Sequence, residues 1–228
     1  MLPGNFVIDQ MAGSDILLAN ARVVRVERTE KTTLIDLPMV SVDFPVTALM
    51  SVIGSVDDGG SSEVASVGTE SFVEIDAALS NPIAKRTSIC VLEGDVIRIP
   101  LADFQRTMHA SQRFTELIMR AVRARVFVSE QTAVCSIRHS TTQRLARWLL
   151  LAAYRLKTSE LSITHEQLAT IVAMRRAGVS EASAELAAAG GITQTRGTIA
   201  IRDRELLEAS ACECYGICCH AIHETLLD

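Results

Sequence analysis

The chain has 228 residues, 48% of them apolar and 21% charged, with a formal net charge of −5. These values exclude a disordered chain and allow one large domain or two modest ones. The longest apolar run, "WLLLAAY", falls far short of the roughly 18–20 residues that span a bilayer, and "MLPGNFVIDQMAGSD" lacks the basic-then-apolar order of a signal peptide. A cytoplasmic protein with no membrane partner is the expectation.

The charge is segregated. Residues 1–104 carry seven Lys/Arg against fifteen Asp/Glu, residues 105–140 six against two, residues 141–205 nine against six, and residues 206–228 none against four. An acidic first half joined to a basic middle suggests two modules with different partners, because a local basic surface binds a polyanion whatever the total. Of the six cysteines, Cys90 and Cys135 stand alone, while Cys212, Cys214, Cys218 and Cys219 are grouped. That is not the spacing of a secreted disulfide framework, and a cytoplasm keeps thiols reduced.

In chain order, "ARVVRVE", "TTLIDL", "VSVDF", "ALMSVIGSV", "SSEVASV", "TSICVL" and "DVIRIP" are short runs rich in Val, Ile and Thr, divided by "DDGG" and "EGD". Such a series predicts an all-β sandwich or barrel over about 20–104. From about 101 to 132 the period becomes helical. Phe114, Leu117, Ala121, Ala124 and Val128 recur at coiled-coil spacing, and Ile118, Val122 and Val126 form a second stripe. Two apolar faces suit a helix that packs on its own domain and on a second copy, with a single core-covering helix as the plainer reading. "SIRHSTTQ" (136–143) then reads as a polar hinge, and Leu145, Trp148, Leu149, Ala152 and Leu156 mark an amphipathic helix.

In "SITHEQLATIVAMRRAGVSEASAELAAAGGI" (162–192), Thr164 and Gln167 form a capping box, and Leu168, Ile171 and Val172 supply a buried face. A second helix is predicted to start near Arg175. Val179, Ala182 and Leu186 line its inner side, Arg175, Arg176, Ser180 and Ala184 face solvent, and Gly190-Gly191 terminate it. Thr193 to Ile201 alternates around Arg196-Gly197, which signals a hairpin. Two helices, a turn and a hairpin describe a winged helix-turn-helix, whose second helix enters the major groove while wing and helix N-termini hold phosphates. Solvated charge alone, or a winged helix that binds protein, remains the competing reading of these residues.

"FPVTALMSVI", "EVASVG", "QTAVCSIRHSTTQRLARWLL", "LSITHEQLATIVAMRRAGVSEASAEL" and "CECYG" resemble segments of Crp/Fnr-type bacterial transcription regulators, in particular a Crp-like branch whose sensory domain is poorly defined. The resemblance spans roughly 35–219 and is most specific from 131 to 216. It implies an α+β chain: a cyclic-nucleotide-binding-like β-barrel of jelly-roll type over 1–104, a dimerisation helix over 105–135, and a winged helix-turn-helix over 141–228. The family's base-reading positions fall on Arg175, Arg176, Ser180 and Glu181, and Thr164, Thr195 and Arg196 complete the expected DNA contacts. Ala177 replaces an acidic residue common beside Arg176, and Glu181 stands where many members have arginine, so the family's best-known palindrome is not the expected operator. The partners implied are double-stranded DNA, a second copy and RNA polymerase.

Cyclic-nucleotide-binding members of that family bracket a short helix with Gly-Glu and Arg-Ser/Thr. Arg86 and Thr87 match the second pair, but Glu74 and Ile75 occupy the place of the first, and the nearest glycine is Gly68. Cyclic nucleotide is therefore not the expected effector. Arg86 and Thr87 remain candidates for an unknown anion, beside a barrel that takes no ligand. No cofactor is predicted: no cysteine precedes Cys90, as an N-terminal iron–sulfur sensor would need, and no histidine precedes His109. In "CECYGICCHAIHE", Cys214 and Cys218, Cys219 and His223, and His220 and Glu224 are one turn apart and can chelate a soft metal or be oxidised. Because "CECYG" occurs in the resembling regulators as ordinary packing, no metal is assigned; Cys214, Cys218, Cys219 and His223 are its only candidates. An enzyme is not expected, since His139 and Ser140 have no acidic partner in sequence reach and His165 lies on a helix's first turn. The expected function is transcription regulation by a homodimer reading an inverted repeat. The alternative is a dimeric metal- or redox-sensing module that binds protein.

Overall fold

Between residues 22 and 100 the Val/Ile/Thr runs pair as strands in a computed structural model, which describes residues 4–11, 15–57, 60–79 and 81–227. Two short helices, α1 (Phe6–Asp9) and α2 (Asp15–Leu18), precede β1 (Arg22–Val26), β2 (Lys31–Thr33), β3 (Ser41–Pro45), β4 (Leu49–Ser55) and β5 (Ser61–Val67). Then come α3 (Ile75–Ala78), β6 (Thr87–Leu92) and β7 (Gly94–Pro100). The strands form two antiparallel sheets, β1-β7-β3 and β2-β6-β4-β5. They face each other as a jelly-roll-like pair rather than a closed barrel. One reason lies in "TTLIDL", which leaves the ladder after Thr33: Asp36 takes a left-handed φ of 60°, its N–H bonds to the Ala84 carbonyl at 2.8 Å, and Leu34, Ile35 and Leu37 stay exposed.

Strand alternation sorts the core. Val26 and Val96 from one sheet meet Met50, Val52, Ala65, Val67 and Cys90 from the other. On the opposite face of β3 and β7, Val42, Phe44, Ile97 and Ile99 pack against helices. Phe104 sits at the centre there, with ring centroids 6.3 Å from Phe44, 5.8 Å from Phe72 and 5.5 Å from Phe114.

The helical region differs from the sequence reading in three ways. First, it is two helices, α4 (Leu101–Ala110) and α5 (Gln112–Arg138). Ser111 is extended, and its hydroxyl accepts from the Phe114 N–H at 3.2 Å, capping α5. Second, α5 continues 27 residues to Arg138, roughly 40 Å, so the expected hinge shrinks to His139-Ser140. Ser140 there caps α6 (Thr141–Leu156) in a capping box with Gln143. Third, the stripe read as a dimer seam points inward: Phe114, Leu117, Ala121 and Val128 are buried within the chain, as is Ile118. The apolar side chains that α5 leaves exposed are Met119, Val126, Phe127, Val134 and Ile137. Both stripes have helical spacing, and only the position of the sheets decides which one is covered.

After α6 come β8 (Glu160–Leu161), α7 (His165–Ile171), α8 (Arg176–Ala188), β9 (Ile192–Thr195), β10 (Thr198–Ile201), α9 (Arg204–Ser210) and α10 (Cys214–Leu227). The sheet order is β8-β10-β9. This unit is seated on the first sheets: Leu49, Val91 and Leu92 share a core with Leu145, Trp148 and Leu149 of α6. The Trp148 indole donates to Glu63 at 3.1 Å, and Arg155 pairs with Glu70 at 2.8 Å, both side chains buried. Among the described residues, no helix is long and apolar enough to cross a membrane.

Candidate nucleic-acid interface

The α7–turn–α8 unit is built as its sequence implies. The Thr164 hydroxyl accepts from the Gln167 N–H at 3.3 Å, and the Gln167 side-chain oxygen accepts from the Thr164 N–H at 3.0 Å. Leu168, Ile171 and Val172 face inward to meet Val179, Ala182 and Leu186 of α8. The turn between them needs a left-handed residue, and Ala173 fills that place at φ 50°. Arg144 of α6 holds the turn by donating to the Val172 carbonyl. Arg175 is the N-cap residue of α8 and offers no side-chain cap, so its guanidinium is free of that duty. Gly190 ends the helix at φ 82°, and Gly197 turns the hairpin at φ 80°, both conformations that glycine adopts without a Cβ penalty.

Thr164, Arg175, Arg176, Ser180, Glu181, Thr195 and Arg196 are all exposed. The first turn of α7, the first half of α8 and the wing form one surface. Arg176 approaches Glu166 at 3.8 Å, and Ser180 donates to the Arg176 carbonyl at 3.1 Å. His165 lies 3.0 Å from Ser180 through Nδ1 and 3.0 Å from Gln194 of β9 through Nε2. Sequence reasoning missed His165 as the residue that joins both helices to the wing; its contacts on α8 and β9 are remote in sequence. Three arginines on this surface, Arg175, Arg176 and Arg196, face two carboxylates, Glu166 and Glu181, and the helix N-termini add partial positive charge. The arrangement suits a polyanion, with guanidinium groups able to make bidentate contacts.

The effector candidates are not gathered. Arg86 lines a cleft of about 370 Å³ with Thr33, Glu74, Ser88 and Arg125, is exposed, and donates to the Lys85 carbonyl at 2.8 Å. Thr87 lines a different cleft and accepts from the Ile35 N–H at 3.3 Å. Glu74 spends both carboxyl oxygens on the protein, accepting from the Thr33 hydroxyl at 2.6 Å and the Asp43 N–H at 2.8 Å. Burial, with the Asp43 carboxylate nearby, pushes its pKa up to about 8. Arg125 donates to the carbonyls of Phe72 and Val73 at 3.3 and 2.5 Å, and burial lowers it to about 10.

The cysteine-rich segment is also rearranged. Cys218 packs with Val128, Leu151 and Ile222, Cys219 lies beside Tyr215 in the same cluster, and His223 is exposed. Cys214 instead joins Cys135, Cys212 and His139, whose ligand atoms all lie within 4.8 Å of one another. His139, without an acidic partner in the sequence, gains one by folding: its Nε2 is 3.3 Å from Glu213.

Residues 143–210 match the family of the Crp-like helix-turn-helix domain. No curated protein has a significant sequence match to the chain. Among solved structures, the CRP-family transcriptional regulator TTHB099 of Thermus thermophilus is 20% identical, with 82% of this chain and 96% of that one superposed at a TM-score of 0.70. FixK2 of Bradyrhizobium japonicum is 15% identical over 84% and 98% of the chains at 0.70. The c-di-GMP-responsive global regulator CLP of Xanthomonas campestris is 16% identical over 86% and 98% at 0.66. Residues 143–210 are thus a Crp-like helix-turn-helix domain, and the chain as a whole has the fold of the solved Crp/Fnr-family regulators.

Proposed function

We propose that the chain is a homodimeric transcription regulator that reads an inverted-repeat operator with α8. The observation that carries this reading is the single exposed surface on which Arg175, Arg176, Ser180 and Glu181 of the second helix adjoin Thr164 and the wing residues Thr195 and Arg196. In this reading Arg175 and Arg176 meet base edges, and Thr164, Thr195 and Arg196 meet phosphates. Dimerisation runs through the outer stripe of α5, where Met119, Val126, Phe127, Val134 and Ile137 recur at helical spacing and Ile137 is 83% exposed. Two copies then present two α8 helices to half-sites about one helical turn apart, and RNA polymerase is the protein partner of a regulator so arranged.

Cyclic nucleotide is not the effector in this reading: Glu74 and Ile75 stand in place of the Gly-Glu pair, and the Glu74 carboxylate is committed to Thr33 and Asp43. The test is fluorescence anisotropy of a labelled duplex from the region upstream of the protein's own gene, titrated at several salt concentrations. Binding that exceeds a scrambled duplex and falls steeply with salt supports the reading. No binding at low salt overturns it in favour of a protein-binding module.

A further inference from the structure

We propose that Cys135, His139, Cys212 and Cys214 form a four-coordinate site for a single thiophilic divalent ion of the zinc class, joining the end of α5 to the back of the winged-helix unit. Cys135 lies on the last turn of α5 and His139, one turn on, is its C-cap residue, while Cys212 lies in the link between α9 and α10 and Cys214, across Glu213, opens α10. The three cysteines are buried and cluster with one another alone rather than with aliphatic side chains. Ordinary packing of small apolar residues does not look like this.

The spacing fits one ion. Zinc binds thiolate at about 2.3 Å and imidazole at about 2.0–2.1 Å, so the edges of a tetrahedral site are about 3.8 Å between sulfurs and about 3.6 Å between sulfur and nitrogen. Here Cys135 Sγ is 3.5 Å from Cys212 Sγ, and Cys214 Sγ is 3.7 Å from His139 Nδ1. With every ligand atom within 4.8 Å of the others, the donor set closes around one centre. Three thiolates and an imidazole are the donors of a structural zinc site and leave no open position for catalysis.

The surroundings are those that metal ligands have. His139 directs Nε2 to Glu213, which leaves the Nδ1 lone pair for the sulfur cluster, the arrangement in which a carboxylate fixes the tautomer of a ligating histidine. The Gln131 amide donates to Cys214 Sγ at 3.1 Å. Three thiolates around a divalent ion carry a net charge of −1, and the nearby Arg147 guanidinium donates to the Thr132 hydroxyl at 3.2 Å and toward Cys218 Sγ at 3.9 Å. Arg147 is buried, its Nε has no hydrogen-bond partner, and no carboxylate pairs with it among the described residues.

The site straddles His139-Ser140, the junction between α5 and α6. A bound ion fixes the winged-helix unit to the dimer helix and so sets the direction in which α8 is presented. That consequence rests on the regulator reading, whereas ion binding itself does not.

The experiment begins with the full chain, purified reduced and without chelator, and its zinc content by elemental analysis. About one zinc per chain is expected, and cobalt(II) substitution should give the intense visible bands and near-ultraviolet thiolate charge transfer of a tetrahedral site. The double variant Cys212→Ser/Cys214→Ser should lose the ion, and Cys218→Ser/Cys219→Ser should keep it. Should the first variant fail to fold, Glu213→Gln reads the same site with all four ligands intact and should weaken zinc about 10–100-fold in competition with a chromogenic chelator. A reduced full chain that takes up no zinc or cobalt overturns the proposal. So does zinc retained by the folded Cys212→Ser/Cys214→Ser variant, or a Cys135–Cys212 disulfide in freshly lysed cells. Anisotropy with zinc-loaded and chelator-stripped protein then separates the two readings: zinc bound without any DNA binding sinks the regulator and leaves the site standing.

Discussion

The paired sheets and the winged helix use the same charged residue types in opposite ways. In the sheets, carboxylates are turned inward: Asp43 holds Arg98 through two 2.7 Å bonds, Glu74 takes Thr33 and the Asp43 N–H, and Glu70 takes Arg155. In the winged helix, Arg175, Arg176, Glu181 and Arg196 lie open to solvent. A buried charge has to be matched by the fold itself, so it is already spent, and a solvated one remains free for a partner. The buried carboxylates of the first half are thus spent on its own fold, and the charges around α8 stay available to a partner.

That contrast can be broken most forcibly at Arg155. Arg155→Ala leaves Glu70 buried beside no cation, and urea denaturation should show a loss of about 3–5 kcal/mol, part of which the double variant with Glu70→Ala should recover. Glu74 gives the next effect, through pH. Its pKa is about 8 in the folded protein against about 4.3 in an unfolded chain, so the folded state holds the proton that the unfolded state has released. Its contribution to stability is fully present below about pH 4.3 and is lost as pH rises from there through 8; Glu74→Gln should flatten that slope in denaturation curves taken across this range. On the open surface the outcome is reversed. Arg176→Ala should leave the melting temperature unchanged, because its side chain is 72% exposed, and should weaken cognate DNA by about 1–3 kcal/mol in anisotropy titrations.

Two smaller effects test the connections between the regions. Ser140→Ala removes the capping box at the α5–α6 junction and should lower stability by about 0.5–2 kcal/mol. Ala173→Gly relieves a left-handed φ in the helix-turn-helix turn and should raise stability by less than about 1 kcal/mol. Both are read by thermal unfolding.

Much of this architecture was legible in local patterns. Six of the seven strand runs match observed strands closely, and the Thr164–Gln167 box, the buried face of α8, the Gly190 stop and the Arg196-Gly197 hairpin all lie where their residues place them. These features are carried by neighbours in sequence, through capping hydrogen bonds, alternation and glycine's freedom. The errors had two sources: local side-chain caps that periodicity does not show, and partners remote in sequence. Ser111 interrupts a helix whose apolar period continues across it, and "SIRHSTTQ" reads as a hinge although its polar side chains return to the helix: Ser136 donates to the Thr132 carbonyl at 2.8 Å. The C-terminal cysteines look paired at helical spacing, yet Cys212 and Cys214 take their partners from Cys135 and His139, more than 70 residues away.

The sequence by itself determined the order of the strand runs, the Thr164 cap that begins α7 and the residues exposed on α8, because each follows from the chain within a few residues. Only the tertiary structure decided which stripe of α5 is covered, where Glu74 points, and that three cysteines and a histidine converge. Periodicity states that a helix has an apolar face; which face meets a sheet, and which remote side chain fills the space opposite, depends on how the elements pack.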